Sequence, residues 1–151
     1  MSLLLFAAAA LAPATPARPE TIFECSFGKK QATVTYDGKA LTYRYGPRGK
    51  PELTIAATPD SNRVFYRRIL YPRGEDQILR FVRGEYSYSI FAHWEAPMQY
   101  MTTTTPETIE AELSVYRGDK VISTRRCQSG GDMREHPVFK SLPDTEADSA
   151  E

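Results

Sequence analysis

The chain has 151 residues, with 19 Lys+Arg against 19 Asp+Glu, 41% apolar and 25% charged residues. That length fits one domain, and the composition belongs to a folding chain rather than to bulk disorder. Zero net charge argues against an electrostatic nucleic-acid binder, since phosphate binding draws on excess positive charge, and a (β/α)8 barrel of about 250 residues is excluded by size.

Residues 1–17, MSLLLFAAAALAPATPA, carry no charged side chain. The apolar run from Leu3 to Leu11 is too short for a span of about 20 residues and is followed by small residues. It reads as a secretory signal cleaved after Ala17, although no Lys or Arg precedes the run. Export predicts that the two cysteines, Cys25 and Cys127, form a disulfide. Loop-closure entropy would make that bridge worth up to ~4–5 kcal/mol. With no C-x-x-C and two histidines, no metal site is expected.

From residue 18 the pattern alternates with period two between turn signals. Strands are predicted over Thr21–Phe27, Gln31–Tyr36, Ala40–Tyr45 and Glu52–Ala57, with Asp37-Gly38 as a hairpin turn. Arg63–Tyr71 follows, then a break over Pro72–Asp76. Gln77–Val82 and Glu85–His93 flank a turn at Arg83-Gly84. Ile109–Arg117 and Lys120–Cys127 close the series around Gly118-Asp119. No long helical repeat occurs. The fold class is therefore all-β: an antiparallel meander of eight or nine short strands forming a small barrel or sandwich over 18–131. Trp94–Pro106 reads as a long loop, and long loops in small domains are often functional.

Charge is unevenly spread. Residues 18–131 hold 17 bases and 13 acids, whereas 132–151 hold two bases and six acids. The latter read as an acidic, flexible tail. A sharper alternative folds the tail onto the basic body, anchored by Val138, Phe139 and Leu142. His136 reads as a solvated residue within it.

No catalytic signature is found: there is no H-E-x-x-H, no G-x-S-x-G and no phosphate loop. His93 and Glu95 share a strand face and form a minor acid/base candidate. The denser constellation is arginine with tyrosine, residue types enriched at binding hot spots. Arg67 and Arg68 adjoin, so a strand points one to each face. The expected partner-binding residues are Arg67, Arg83, Tyr86 and Tyr88, with Trp94, Met98, Tyr100 and Met101 from the long loop. The expected partner is a protein; no cofactor, nucleic acid or stable membrane insertion is expected.

Size, export signal, cysteine pair and meander resemble the small periplasmic lysozyme inhibitors of Gram-negative bacteria. That resemblance implies an eight-stranded barrel or sandwich with a loop inserted into the lysozyme cleft. Those families carry a Ser-Gly-x-x-Tyr type loop. The nearest segment here, Arg83-Gly84-Glu85-Tyr86-Ser87-Tyr88, departs from it, so no inhibitory residue is transferred. The segments LTYRYGPRGKPEL and RFVRGEYSYSIF also look like those of periplasmic proteins of proteobacteria. The leading expectation is a periplasmic or secreted, non-catalytic binding or inhibitor protein, docking a cell-wall hydrolase or antibacterial effector. The alternative is a small-molecule or lipid carrier using a barrel interior. A hydrolase using His93 and Glu95 and a self-associating envelope subunit complete the set.

Overall fold

A computed structural model of the protein describes residues 12–15 and 18–145. Of the expected signal segment, only the exposed stretch 12–15 falls within them. The described residues run through twelve strands, more than the eight or nine expected. These are β1 (Glu20–Phe27), β2 (Lys30–Tyr36), β3 (Leu41–Pro47), β4 (Leu53–Ala57), β5 (Val64–Tyr71), β6 (Gly74–Arg83), β7 (Tyr86–Glu95), β8 (Met98–Tyr100), β9 (Thr103–Thr105), β10 (Thr108–Arg117), β11 (Lys120–Arg126) and β12 (Ser129–Met133). All pairings are antiparallel. The first sheet has the order β12-β1-β2-β3-β4 and the second β11-β10-β7-β6-β5, while β8 and β9 pair only with each other. No barrel closes; the sheets pack as a sandwich.

Alternation explains the core. Ala32, Val34, Leu41, Tyr43, Ile55 and Ala57 point inward from the first sheet, and Leu79, Phe81, Ile90, Ala92 and Leu113 from the second. Tyr43 joins the layers, its ring 5.5 Å from Phe81 and 5.8 Å from Tyr88. Each fully buried Leu or Ile contributes ~1.5–3 kcal/mol of burial energy. These side chains occupy the interior that a carrier would need.

Cys25 and Cys127 are bridged, with Cα atoms 5.6 Å apart. The bridge joins β1 to the crossing between β11 and β12, where Cys127 donates to the Ala111 carbonyl and Gln128 to the Ser26 carbonyl, each at 2.9 Å. It thereby ties the two sheets together.

Tight turns set the hairpins. Gly28, Gly84 and Gly118 each take the first position of a two-residue loop with positive φ, a conformation glycine adopts without a Cβ clash. In the β8–β9 hairpin, Met101 fills the equivalent position at φ 52°.

The segment set apart as an acidic tail begins inside β12, and through Thr145 it packs on the body. Arg134 donates to the Ile22 carbonyl at 2.9 Å. His136 is not solvated: its side chain is 15% exposed, its ring lies 5.1 Å from Tyr36, and its Nδ1 accepts from the Val138 N–H. A 3-10 turn, Pro137–Ser141, buries Val138 and Phe139. Phe139 stacks on Tyr66 at 4.1 Å, whose hydroxyl burial pushes up to about 12. The Pro143 carbonyl then accepts from the Tyr66 N–H, and Asp144 binds Arg67. The segment therefore wraps the β5 edge from the inner to the outer side. Residues 146–151 lie outside the described residues.

Candidate functional site

The residues picked as partner-binding fall at opposite ends of the second sheet. Arg83 and Tyr86 pair across the β6–β7 turn. Trp94 lies eight residues further along β7, about 26 Å away at ~3.3 Å per residue. Met98, Tyr100 and Met101 lie beyond it in the β8–β9 hairpin. Tyr88 faces Tyr43 and packs against the core rather than presenting a surface. Arg67 is taken: its Nε and Nη2 donate to Asp144 at 2.8 and 3.2 Å. Arg68 points to the other face, where it meets Glu75 and Glu135.

The hairpin end differs from the predicted loop. β5 and β6 turn over Pro72-Arg73 alone, with Tyr71 opposite Gly74, so Glu75 and Asp76 lie in a strand and not in a break. Gly74 is required there, because a Cβ would sit 2.2 Å from the Trp94 carbonyl oxygen. That close approach brings the β5–β6 tip onto the base of the β8–β9 hairpin. Arg73 bonds Glu95 and reaches the Met98 sulfur, and the Ala96 N–H donates to the Arg73 carbonyl at 2.7 Å. On the far side of the loop, Trp94 Nε1 donates to Glu107 at 2.6 Å.

Beneath this tip lies a polar network of which the sequence showed the His93–Glu95 pair but not Asp76 or Tyr71. Asp76, 9% exposed, faces His93 across the β6–β7 ladder, with Glu110 next in the row on β10. One carboxylate oxygen of Asp76 lies 2.6 Å from His93 Nδ1; the other accepts from the Tyr71 hydroxyl at 2.6 Å. His93 Nε2 lies 3.8 Å from Glu95. The hydrogen bond to Asp76 raises the His93 pKa above its ordinary value, against partial burial and with help from Glu95 and Glu110. The Tyr71 hydroxyl's own hydrogen bond to the other Asp76 oxygen, followed by burial, raises the Tyr71 pKa as well. Such an array can hold a proton on His93 among carboxylates. Among the described residues no three His, Cys, Asp or Glu side chains converge as a metal site.

Above the network the surface is apolar. Leu70 and Tyr71 are 69% and 47% exposed, and Met98, Tyr100 and Met101 are 40%, 65% and 80% exposed. On the inner side a cleft of about 460 Å³ opens between β12 and the second sheet, lined by Arg68, Glu75, Trp94, Ile109 and Arg134 among others. Reading Pro72-Arg73 as a two-residue turn would have extended β6 back through Asp76, but its facing of His93 is set by the β6–β7 turn, which falls at Gly84-Glu85, one residue beyond the expected Arg83-Gly84.

No family model, curated protein or solved structure matches the chain. No helix among the described residues is long and apolar enough to cross a membrane.

Proposed function

We propose that the protein is an exported, non-catalytic binding or inhibitor protein that seats the β8–β9 hairpin in an apolar depression of another protein. A cell-wall hydrolase or antibacterial effector is the partner class. The observation that carries this reading is Met101. It is the most exposed large apolar residue of the described chain, and it sits at positive φ where three sibling hairpins use glycine. For a residue with a Cβ this conformation costs ~1–2 kcal/mol. Strain of this kind persists where the side chain has a use. Met98, Tyr100 and Leu70 extend the apolar area around it, and exposed apolar clusters mark interaction sites. The disulfide supports export, because such bonds persist in oxidising compartments.

The test is Met101→Gly, made alone and with Tyr100→Ser. Relieving the strain raises stability by about 0.5–1 kcal/mol in urea denaturation, while capture of a stoichiometric partner from periplasmic extract falls by about 30-fold, the loss of one hot-spot side chain. Arg83→Ala with Tyr86→Ala leaves capture intact. Undiminished capture by the Met101→Gly, Tyr100→Ser pair would overturn the reading.

A further inference from the structure

A sandwich of two open sheets has four edges, and unpaired N–H and C=O groups on an edge invite another strand. Three of the four carry a cover over at least part of their length. β12 packs across the second sheet, with Gly131 so close to Ala111 that a Cβ would meet it at 2.9 Å. On β4 the Ala56 carbonyl accepts from Arg63 at 3.0 Å. On β5 the Tyr66 N–H is bonded to Pro143 and the Arg67 guanidinium to Asp144. The fourth edge is β11, KVISTRR, exposed at every position but Ser123. Among the described residues, only β10 meets its backbone.

The open groups can be placed. Cys127 donates to the Ala111 carbonyl, and antiparallel ladders alternate. Leu113 and Arg125 therefore exchange hydrogen bonds, whereas the N–H and C=O of Thr124 and Arg126 point away from β10. The approach of the Ser114 and Thr124 hydroxyls to 3.2 Å fits this alternation, since side chains lie closer in the non-bonded pairs. Val121 and Ile122, each 51% exposed, supply apolar contact beside these groups.

Charge selects the occupant. Arg117, Lys120, Arg125 and Arg126 stand against Asp119 on this stretch; Arg117 is paired with Glu85 at 3.2 Å, and Arg125, donating to the neutral Tyr45 hydroxyl at 3.2 Å, keeps its charge uncompensated there. Glu112 lies 3.9 Å from Arg126, between side chains open to solvent. An antiparallel second copy centred on Ser123 would set Lys120 against Arg126, and any register brings two basic edges together, whose like charges repel. We propose that the β11 edge adds an extended, acidic segment of a partner protein as a sixth strand of the second sheet. Main-chain bonds at Thr124 and Arg126 give affinity, and Lys120, Arg125 and Arg126 select carboxylates. This edge is separate from the β8–β9 hairpin.

The probe is the capped heptapeptide Glu-Glu-Thr-Thr-Val-Val-Glu, whose antiparallel register places glutamates opposite Arg126, Arg125 and Lys120. The control replaces its glutamates with lysine. Titrated into the labelled full chain, the acidic peptide should shift the Thr124 and Arg126 amides saturably and slow their hydrogen exchange at least tenfold. The lysine peptide should bind at least tenfold more weakly. Thr124→Pro removes an outward N–H without touching the β10 ladder and should abolish the effect. Arg125→Ala with Arg126→Ala should weaken it at least tenfold should the proline variant fail to fold. Met101→Gly with Tyr100→Ser should leave it unchanged, which separates this surface from the hairpin. Unmoved β11 amides, equal binding of the lysine peptide, or a peptide-free dimer protecting Thr124 and Arg126 would overturn the proposal.

Discussion

The two ends of the second sheet are built from the same strands, yet they expose different chemistry. At the turn end, Gly84 and Gly118 make unstrained loops, and charged side chains pair at the surface beside the exposed Tyr86, Val121 and Ile122. Arg117 meets Glu85 at 3.2 Å and lies over the Tyr86 ring. At the hairpin end, Met101 takes a glycine's conformation, Leu70, Tyr71, Met98 and Tyr100 face solvent, and the charged groups sit underneath in the Asp76–His93 array. One end mixes paired charges with exposed apolar residues over a relaxed backbone; the other has its polar groups beneath and its tip strained. The contrast teaches that the Arg- and Tyr-rich residues singled out in the sequence do not form one continuous surface: Arg67 is bonded to Asp144, Tyr88 packs on Tyr43, and Arg83 and Tyr86 lie at the far end from the hairpin. In the proposed reading, the docking surface is set by apolar exposure held over a stiff base.

The largest expected effect strikes both ends alike. Cys25→Ser with Cys127→Ser opens a loop of sequence separation 102 and should lower stability by about 2–5 kcal/mol in urea denaturation. Hydrogen exchange should speed equally at both ends, and a loss confined to one end would break the comparison. Asp76→Ala comes next. It strips His93 Nδ1 and the Tyr71 hydroxyl of their shared acceptor and should cost about 1–3 kcal/mol, with faster exchange at β6–β7 near the hairpin. The matching change at the other end, Glu85→Ala, removes an ion pair between side chains 71% and 60% exposed and should change stability by less than about 1 kcal/mol.

The smallest expected effect is the pH dependence. The His93 pKa is raised in the folded state by Asp76, with Glu95 and Glu110 adding to it. A raised folded pKa gives stability that is fully present below the ordinary histidine value near ~6.5 and is lost as pH rises through the folded value. Thermal midpoints of the wild type should therefore fall across that window relative to those of His93→Gln. Parallel curves would remove the proton from the account of the hairpin end.

Much of the fold was legible because half-buried strands write their burial as alternation. Ala32 with Val34, Leu41 with Tyr43, and Ala111 with Leu113 all point inward as the period-two pattern implies. Arg67 and Arg68 do lie on opposite faces. Three pieces were not legible. The β8–β9 hairpin is exposed at every strand position, so it has no buried face to alternate with. β12 reads SGGDM, and it pairs because Gly130 lets the backbone approach within 2.5 Å of the Glu24 oxygen for a would-be Cβ, a tertiary cause that outweighs strand propensity. The Gly74-Glu75-Asp76 run looks like a loop, and only its pairing with β7 makes Asp76 a buried partner of His93. The candidate site was thus half visible: the 94–106 segment and the His93–Glu95 pair could be read, while the β5–β6 tip and the Asp76 and Tyr71 partners could not.

The most direct measurement places a photo-crosslinking residue at position 100 in one preparation and at position 83 in another, each exposed to periplasmic extract. The account predicts a covalent adduct with one partner protein from position 100 and none from position 83. An adduct from position 83 with none from position 100 would contradict it and move the docking surface to the turn end of the sheet.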